Sequence, residues 1–179
     1  SLIEPEYAFG DMLRSYFERI PNVQVRHRRI QQREDLTLFA NDLALIAEPV
    51  ALWLSGHGDE SGLSLEGTPI DHTVLAPALL AAPNVFIVHF ASCAVMGGDV
   101  PTKLRAAIPS TRALAISGYA TPVDWSASAV LEILYLDLLL ARNTSPAESV
   151  ATIKSEMNFA GDTPTKDSPF GALKLRLIE

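Results

Sequence analysis

The sequence predicts an α/β fold, a three-layer αβα sandwich in which a mostly parallel sheet lies between two layers of helices. Short apolar runs alternate along the chain with longer segments whose apolar residues recur every three or four positions. Two of the short runs, Val50–Ser55 and Asn84–Ser92, are almost continuously apolar. Strands that are apolar on both faces are typical of parallel sheets covered by helices.

Length and composition indicate one globular domain. The 179 residues are 48% hydrophobic and 20% charged, which supports a core and excludes a disordered or fibrous chain. We interpret residues 1–179 as a single domain, and the start at Ser1 without a secretory pattern favours one excised from a larger protein. One cysteine excludes an internal disulfide and fits a reducing, cytoplasmic compartment. Charged residues interrupt every long apolar stretch, so we expect no membrane partner.

The charge argues against nucleic acid as a partner. The net charge is −7 and the pI is near 5.1, whereas binding to phosphates needs clustered Lys and Arg. A basic cluster does occur at Arg26–Arg29, but it falls on one predicted strand. We therefore interpret it as a solvated edge.

The N-terminal third predicts strands and amphipathic helices in alternation. Ser1–Ile3 has the composition of the tail of a first strand. Glu4–Ile20 and Asp35–Ala47 carry apolar residues at helical spacing, and a proline follows each of them. Between these helices, Val23–Ile30 alternates apolar and polar residues at its start, which predicts a half-exposed strand.

The middle of the chain contains the two buried strands. After Val50–Ser55 we predict a polar loop at Asp59–Gly62, then a short hairpin whose arms are Leu63–Leu65 and Thr68–Ile70. Asp71–Ala82 predicts a helix capped by its first residue, and the second buried strand follows it.

The C-terminal half predicts three more helices and two more strands. Pro101 in the first turn and a capping box at Ser145 and Glu148 mark two helix starts. In chain order these elements are a helix from Asp99 to Pro109, a strand at Ala113–Ser117, helices at Asp124–Ala141 and Ser145–Phe159, and a closing strand at Leu173–Leu177.

A reactive residue follows each of the two buried strands. His57 comes after Val50–Ser55, and Cys93 comes after Asn84–Ser92. Because the carboxyl ends of parallel strands meet at one edge of a sheet, we expect the imidazole and the thiol to lie together there. This is the arrangement of a cysteine nucleophile with a histidine base, although a lone cysteine is often a buried, inert thiol.

Small residues surround both positions and favour a catalytic interpretation. Gly56 and Gly58 flank the histidine, and Ala91 and Ser92 precede the cysteine, so a substrate backbone can approach closely. The backbone N–H groups of Gly58 and Cys93 are the expected donors to the oxyanion that develops on an acyl carbon.

These motifs resemble those of a known family. Leu54–Asp59 (LSGHGD) followed by Val88–Cys93 (VHFASC) is similar to the strand ends of the caspase-like cysteine peptidases, and most similar to bacterial CHAT proteases. Ile116–Asp124 resembles the CHAT segment in which a strand leads through a Pro-Val-Asp turn into a long helix. The resemblance covers about residues 5–140.

The resemblance implies a fold, a reaction and a setting. It implies a caspase-like sandwich that hydrolyses peptide bonds without metal or organic cofactor. His57 would be the base and proton donor, Cys93 would form a thioester, and the N–H of Gly58 would complete the oxyanion hole. CHAT domains lie in larger proteins beside regulatory or sensor domains and act in bacterial defence or cell death, so a peptide or protein substrate and such a regulatory partner are expected.

One departure from the family concerns the substrate side chain. Relatives that cut after Arg or Lys carry an Asp two residues before the cysteine, where this chain has Ala91. We expect Ala91 and Ser92 to contact substrate, and Asp59 or Asp124 to supply the missing carboxylate, with Glu60 and Asp99 as further sources. The preference therefore stays open.

Alternatives remain. A catalytically silent caspase-like adaptor or scaffold would share the fold, and a small-molecule hydrolase or acyltransferase would use the same Cys and His. His89 lies within a buried strand, where a hydrogen-bonded core histidine is the favoured interpretation. His57, Asp59 and His89 show no metal-motif spacing, so we expect no metal.

Overall fold

The structure is a computed structural model that describes residues 9–65, 67–163 and 172–179. The predicted strand tail at Ser1–Ile3 lies outside the described residues, as does the start of the helix predicted at Glu4–Ile20. None of the described helices is long and apolar enough to cross a membrane.

Helices and strands alternate along the described residues. The helices are α1 (Phe9–Phe17), α2 (Arg33–Ala44), α3 (His72–Ala81), α4 (Val100–Ala107), α5 (Trp125–Leu136) and α6 (Pro146–Glu156). The strands are β1 (Val50–Ser55), β2 (His57–Asp59), β3 (Gly62–Leu65), β4 (Thr68–Ile70), β5 (Val85–Ala91), β6 (Ala115–Tyr119) and β7 (Leu175–Ile178). Short 3₁₀ turns follow β5 and α6, and a π-helical turn at Asp137–Ala141 extends α5.

The central sheet confirms the predicted fold class. Among the described residues its strand order is β1-β5-β6-β7; β1, β5 and β6 are parallel, and β7 is antiparallel to β6. Helices cover both faces, which gives a three-layer αβα sandwich. Parallel strands buried on both sides explain why β5 is apolar almost throughout.

Alternate side chains of the strands enter two separate cores. On one face Val88 and Phe90 pack against α2, α3 and α4. On the other face Ile87 packs against α5 and α6, and α1 covers the end of α5 through Leu13 and Phe17. The twofold alternation of a strand therefore directs β5 into both layers.

A small antiparallel sheet stands at the carboxyl edge of the central sheet. It has the order β2-β3-β4, so the predicted hairpin at Leu63–Leu65 and Thr68–Ile70 is confirmed. The polar loop predicted at Asp59–Gly62 is wrong, because Asp59 ends β2 and Gly62 begins β3. The turn between them is tight: Asp59 accepts a hydrogen bond from the Ser61 N–H at 2.7 Å, and Gly62 has φ +128°.

The strand predicted at Val23–Ile30 is also wrong. Its first residues alternate between half-buried and exposed, as the sequence pattern indicates. However, among the described residues β1 is the edge of the sheet, and a cavity of about 1410 Å³ is lined by both β1 and this segment. Within the described part of the chain this segment pairs with no strand, so its alternation does not become a ladder.

Candidate active site

The sheet register aligns the ends of the two strands that precede His57 and Cys93. Ser55, the last residue of β1, pairs with Ala91, the last residue of β5. His57 and Cys93 each follow one of these strand ends by two residues, just beyond the carboxyl edge. His57 begins β2 and is exposed, whereas Cys93 is half-buried. The two residues therefore follow the ends of neighbouring strands.

The His57 ring does not hydrogen-bond to the thiol. None of the hydrogen bonds of the described residues joins His57 to Cys93. Catalytic hydrogen bonds are often long or poorly aligned before substrate binds, so this geometry is compatible with a dyad.

Gly58 packs directly against the cysteine segment. A Cβ atom at this position would lie 2.9 Å from Val95 Cγ2, 3.0 Å from Ser92 Cβ and 3.2 Å from the Cys93 carbonyl oxygen. These separations are shorter than ordinary carbon contacts, so any side chain would push β2 away from the thiol. The glycine thus permits the close approach of the two strand ends.

The loop between β6 and α5 supplies a donor to the sulfur. The backbone N–H of Val123 lies 3.4 Å from Cys93 Sγ and donates to it. Thr121 fixes this loop on both sides: its carbonyl accepts from the Ala94 N–H at 3.0 Å, and its hydroxyl donates to the Ala172 carbonyl at 2.7 Å. The loop therefore holds a main-chain donor against the sulfur.

The backbone turns sharply after the cysteine. Ala94 has φ +55°, a left-handed conformation that is uncommon for a residue with a Cβ atom. A 3₁₀ turn at Val95–Gly97 follows and touches Ala120 through Gly97. This turn directs the chain away from the sheet and leaves the thiol at its edge.

The two small residues before the cysteine are buried. Ala91 closes β5, and Ser92 is 1% exposed, with its hydroxyl donating to the Leu54 carbonyl at 3.4 Å. Ser92 therefore ties the end of β5 to β1, and its side chain does not face solvent.

The two carboxylates expected at the site have local partners. Asp59 accepts from the Ser61 hydroxyl and N–H, and these hydrogen bonds lower the pKa of its carboxyl. Asp124 caps α5 by accepting from the Ala127 N–H at 2.9 Å. Both side chains are exposed at the edge of the sheet, but each oxygen involved in these bonds is engaged within its own turn.

His89 lies in the core, as expected. It is fully buried, its Nδ1 lies 2.9 Å from Ser117 Oγ, and its ring stacks on Trp53. Burial lowers the pKa of His89 to about 3, so the ring is neutral. Its other ring nitrogen, Nε2, has no hydrogen-bond partner in the described structure.

A buried glutamate lies in the same polar cluster. Glu132 of α5 is 2% exposed and accepts from Trp53 Nε1 at 2.9 Å and from the Tyr119 hydroxyl at 3.1 Å. Burial raises the pKa of Glu132 to about 8, although both donors favour the charged carboxylate. Neither His89 nor Glu132 was a sequence-based candidate for the site, and the structure places both of them on the α5 side of the sheet.

Two further residues at the site escaped sequence reasoning. Val123 acts through its backbone N–H, which no side-chain pattern reveals. Trp125, the first residue of α5, is 66% exposed although it is large and apolar. Its position directly after the Pro-Val-Asp turn was the available signal.

The comparisons with known proteins add no identification. No family model matches the sequence, and no curated protein or solved structure is significantly similar to it. Within the described residues, no group of three or more His, Cys, Asp or Glu side chains is arranged to hold a metal ion.

Proposed function

We propose that this protein is a cysteine endopeptidase that hydrolyses peptide bonds through a His57–Cys93 dyad. The observation that supports the proposal is the register, which pairs the last residue of β1 with the last residue of β5, two positions before His57 and Cys93 respectively. The Val123 N–H on the sulfur adds to it, since the thiolate is the nucleophile in such reactions.

The proposed chemistry has two stages. The Cys93 thiolate attacks the carbonyl carbon, and the resulting oxyanion is stabilised by backbone N–H groups, for which Gly58 and Cys93 are the candidates. The protonated His57 ring then gives its proton to the leaving amine, and a thioester remains. In the second stage His57 takes a proton from water, the hydroxide attacks the thioester, and the acid product leaves with the thiolate restored.

The setting belongs to the same proposal. The resemblance to CHAT proteases favours a cytoplasmic protein of a bacterial defence or cell-death pathway. A peptide or protein is the substrate, and a regulatory or sensor domain acts as partner. An upstream signal would then explain why the His57 ring rests without a hydrogen bond to the sulfur.

Covalent labelling tests the dyad. Peptide acyloxymethyl ketones are incubated with the wild type and with Cys93→Ser and His57→Ala, and adducts are counted by intact mass. We expect one adduct on the wild type, none on Cys93→Ser, and labelling slowed at least about 100-fold in His57→Ala, because general bases contribute about 10²–10⁴-fold.

The control variant is His72→Ala, which removes another histidine and should label at the wild-type rate. Equal labelling of wild type and His57→Ala would refute the dyad. Iodoacetamide provides a second control, since it reports an accessible thiol without requiring a peptide site.

One observation favours a second candidate, a catalytically silent adaptor of the same fold. The His57 ring is exposed and makes no hydrogen bond to Cys93 in the described structure. This candidate predicts that iodoacetamide alkylates Cys93 whereas no peptide ketone does, even when the rest of the natural protein is present.

A further inference from the structure

The carboxylates at the sheet edge are poorly placed to recognise a basic side chain. Asp59 is held by Ser61, and Asp124 is held by the first turn of α5. Asp99 lies 2.5 Å from Lys103 Nζ, and this neighbour lowers the pKa of its carboxyl. In each of the three carboxylates one oxygen is already engaged by its own turn or helix, which leaves fewer acceptor sites for a substrate Arg or Lys.

Measured along the direction of β1, Trp125 lies at about the same level as the end of that strand. The Trp53 indole donates a hydrogen bond to the Glu132 carboxylate. This contact fixes the position of α5 along the direction of β1. Because α5 starts beside Cys93 and runs away from the site, Trp125 lies about 10 Å above Glu132 at 1.5 Å per residue. Gly56 lies about 10 Å above Trp53 at 3.3 Å per residue of strand, so the exposed indole and Gly56 are at similar heights.

The cavity beside β1 reaches the site at this height. Gly56, His57 and Trp125 are among the residues that line it, together with the apolar side chains of β3 and of Ile30. A Cβ atom built at Gly56 would meet no atom of the described residues within 4 Å, so they leave open space above this residue. An apolar space thus adjoins the imidazole.

We propose that the end of this cavity beside His57 receives an apolar side chain of the substrate, and that Trp125 is the specificity-determining residue. The inference rests on the proposed peptidase function and names its substrate class: peptides with a large aliphatic or aromatic residue next to the cleaved bond. The exposed indole supplies the apolar contact area, and the absence of a side chain at Gly56 supplies the room.

Matched probes test the inference. Acyloxymethyl ketones that differ in one residue, Leu, Arg, Asp or Gly, are compared by their second-order rates of adduct formation at Cys93. The Leu probe should exceed the Arg and Asp probes by about tenfold or more, a typical discrimination by an apolar pocket. Trp125→Ala and Gly56→Leu should each slow the Leu probe more than the Gly probe, by removing the contact or by filling the space.

The control is Leu45→Ala, which removes an exposed apolar side chain remote from the site and should leave the order of the probes unchanged. Melting temperatures of all variants confirm folding. A faster Arg or Asp probe, or a Leu preference that survives both substitutions, overturns the inference and leaves the peptidase proposal standing. No adduct from any peptide probe, with Cys93 still open to iodoacetamide, overturns the peptidase proposal and the inference with it.

Discussion

Gly58 affects both the packing of β2 and the proposed chemistry, because it lies directly against the cysteine segment. A Cβ atom there would lie 3.0 Å from Ser92 Cβ and 3.2 Å from the Cys93 carbonyl oxygen, both in a segment that is largely buried. Gly58→Ala should therefore displace β2 from the thiol, slow peptide-ketone labelling at least about tenfold and lower the stability by about 1–3 kcal/mol, as overpacking does. Labelling rates and urea unfolding measure the two effects.

Gly161→Ala is the matched control for this change. Its new Cβ would meet nothing closer than 3.7 Å, and its φ of −79° suits any residue. We expect it to label and unfold like the wild type. If Gly58→Ala also behaves like the wild type, the close approach of β2 to the cysteine segment is not required.

Among single residues, the sequence indicates side-chain chemistry and misses backbone chemistry. His57 and Cys93 could be predicted because polar residues at the ends of apolar runs mark the carboxyl edge of a parallel sheet. The Val123 N–H could not be predicted, since every residue except proline has one and its direction depends on how the loop folds. The exposure of Trp125 likewise depends on packing.

At the scale of the element, Asp124 has two possible roles. It caps α5 in the structure, and the sequence suggested it as a substrate carboxylate. Asp124→Ala should lower the stability by about 0.5–2 kcal/mol through loss of the cap, whereas Asp124→Asn should keep most of it. Because the same loop holds Val123 against the sulfur, Asp124→Ala should also slow Cys93 labelling. Urea unfolding and labelling rates are measured together.

Ser145→Ala provides a control at another helix. It removes half of the capping box of α6, remote from the thiol, and should reduce the stability similarly without slowing labelling. A large loss of labelling by an Arg probe in Asp124→Asn, with stability retained, would assign Asp124 to substrate binding instead.

The helix and strand predictions were correct where the sequence pattern reports side-chain burial and wrong where the structure depends on strand pairing. Helical spacing correctly indicated α2, capping aspartates indicated α3 and α5, and continuous apolar runs indicated β1 and β5, because burial and capping both leave a pattern in the sequence. The strand prediction at Val23–Ile30 was wrong because alternation indicates only which side chains are exposed to solvent. It does not indicate whether another strand lies beside the backbone. The three-residue β2 was missed because it is too short to show a period.

At the scale of the whole molecule, two buried groups connect stability to pH in opposite senses. The pKa of Glu132 is raised to about 8 from an ordinary value of 4.5. Between these values the folded chain keeps a proton that the unfolded chain releases, so stability falls as pH rises. The pKa of His89 is lowered to about 3 from 6.5. Between those values the unfolded chain alone binds the proton, so stability rises with pH.

The contributions of Glu132 and His89 to the pH dependence of stability cancel over the pH range that they share. A plot of stability against pH should therefore show a plateau, with a decrease on its alkaline side and another on its acid side. The two contributions overlap between pH 4.5 and 6.5, so the loss of stability above pH 6.5 is assigned to Glu132, whereas the loss below pH 4.5 is shared by His89 and the carboxyls whose pKa values are lowered, among them Asp59 and Asp99. From pH 6.5 to 8 the decrease should amount to about 1–2 kcal/mol, since each pH unit contributes up to about 1.4 kcal/mol for one proton.

Glu132→Gln should abolish the loss of stability above pH 6.5 and keep the loss of stability below pH 4.5. The amide does not titrate, and its oxygen can still accept from Trp53 or Tyr119, so the fold is preserved at some cost in stability. Urea unfolding at pH 4, 5.5, 7 and 8.5 measures both slopes, with the exposed Glu156→Gln as the matched control that should follow the wild type. An alkaline slope of unchanged size in Glu132→Gln would show that the proton is released elsewhere, and that the cluster beneath β1 and β6 does not set the pH range of the fold.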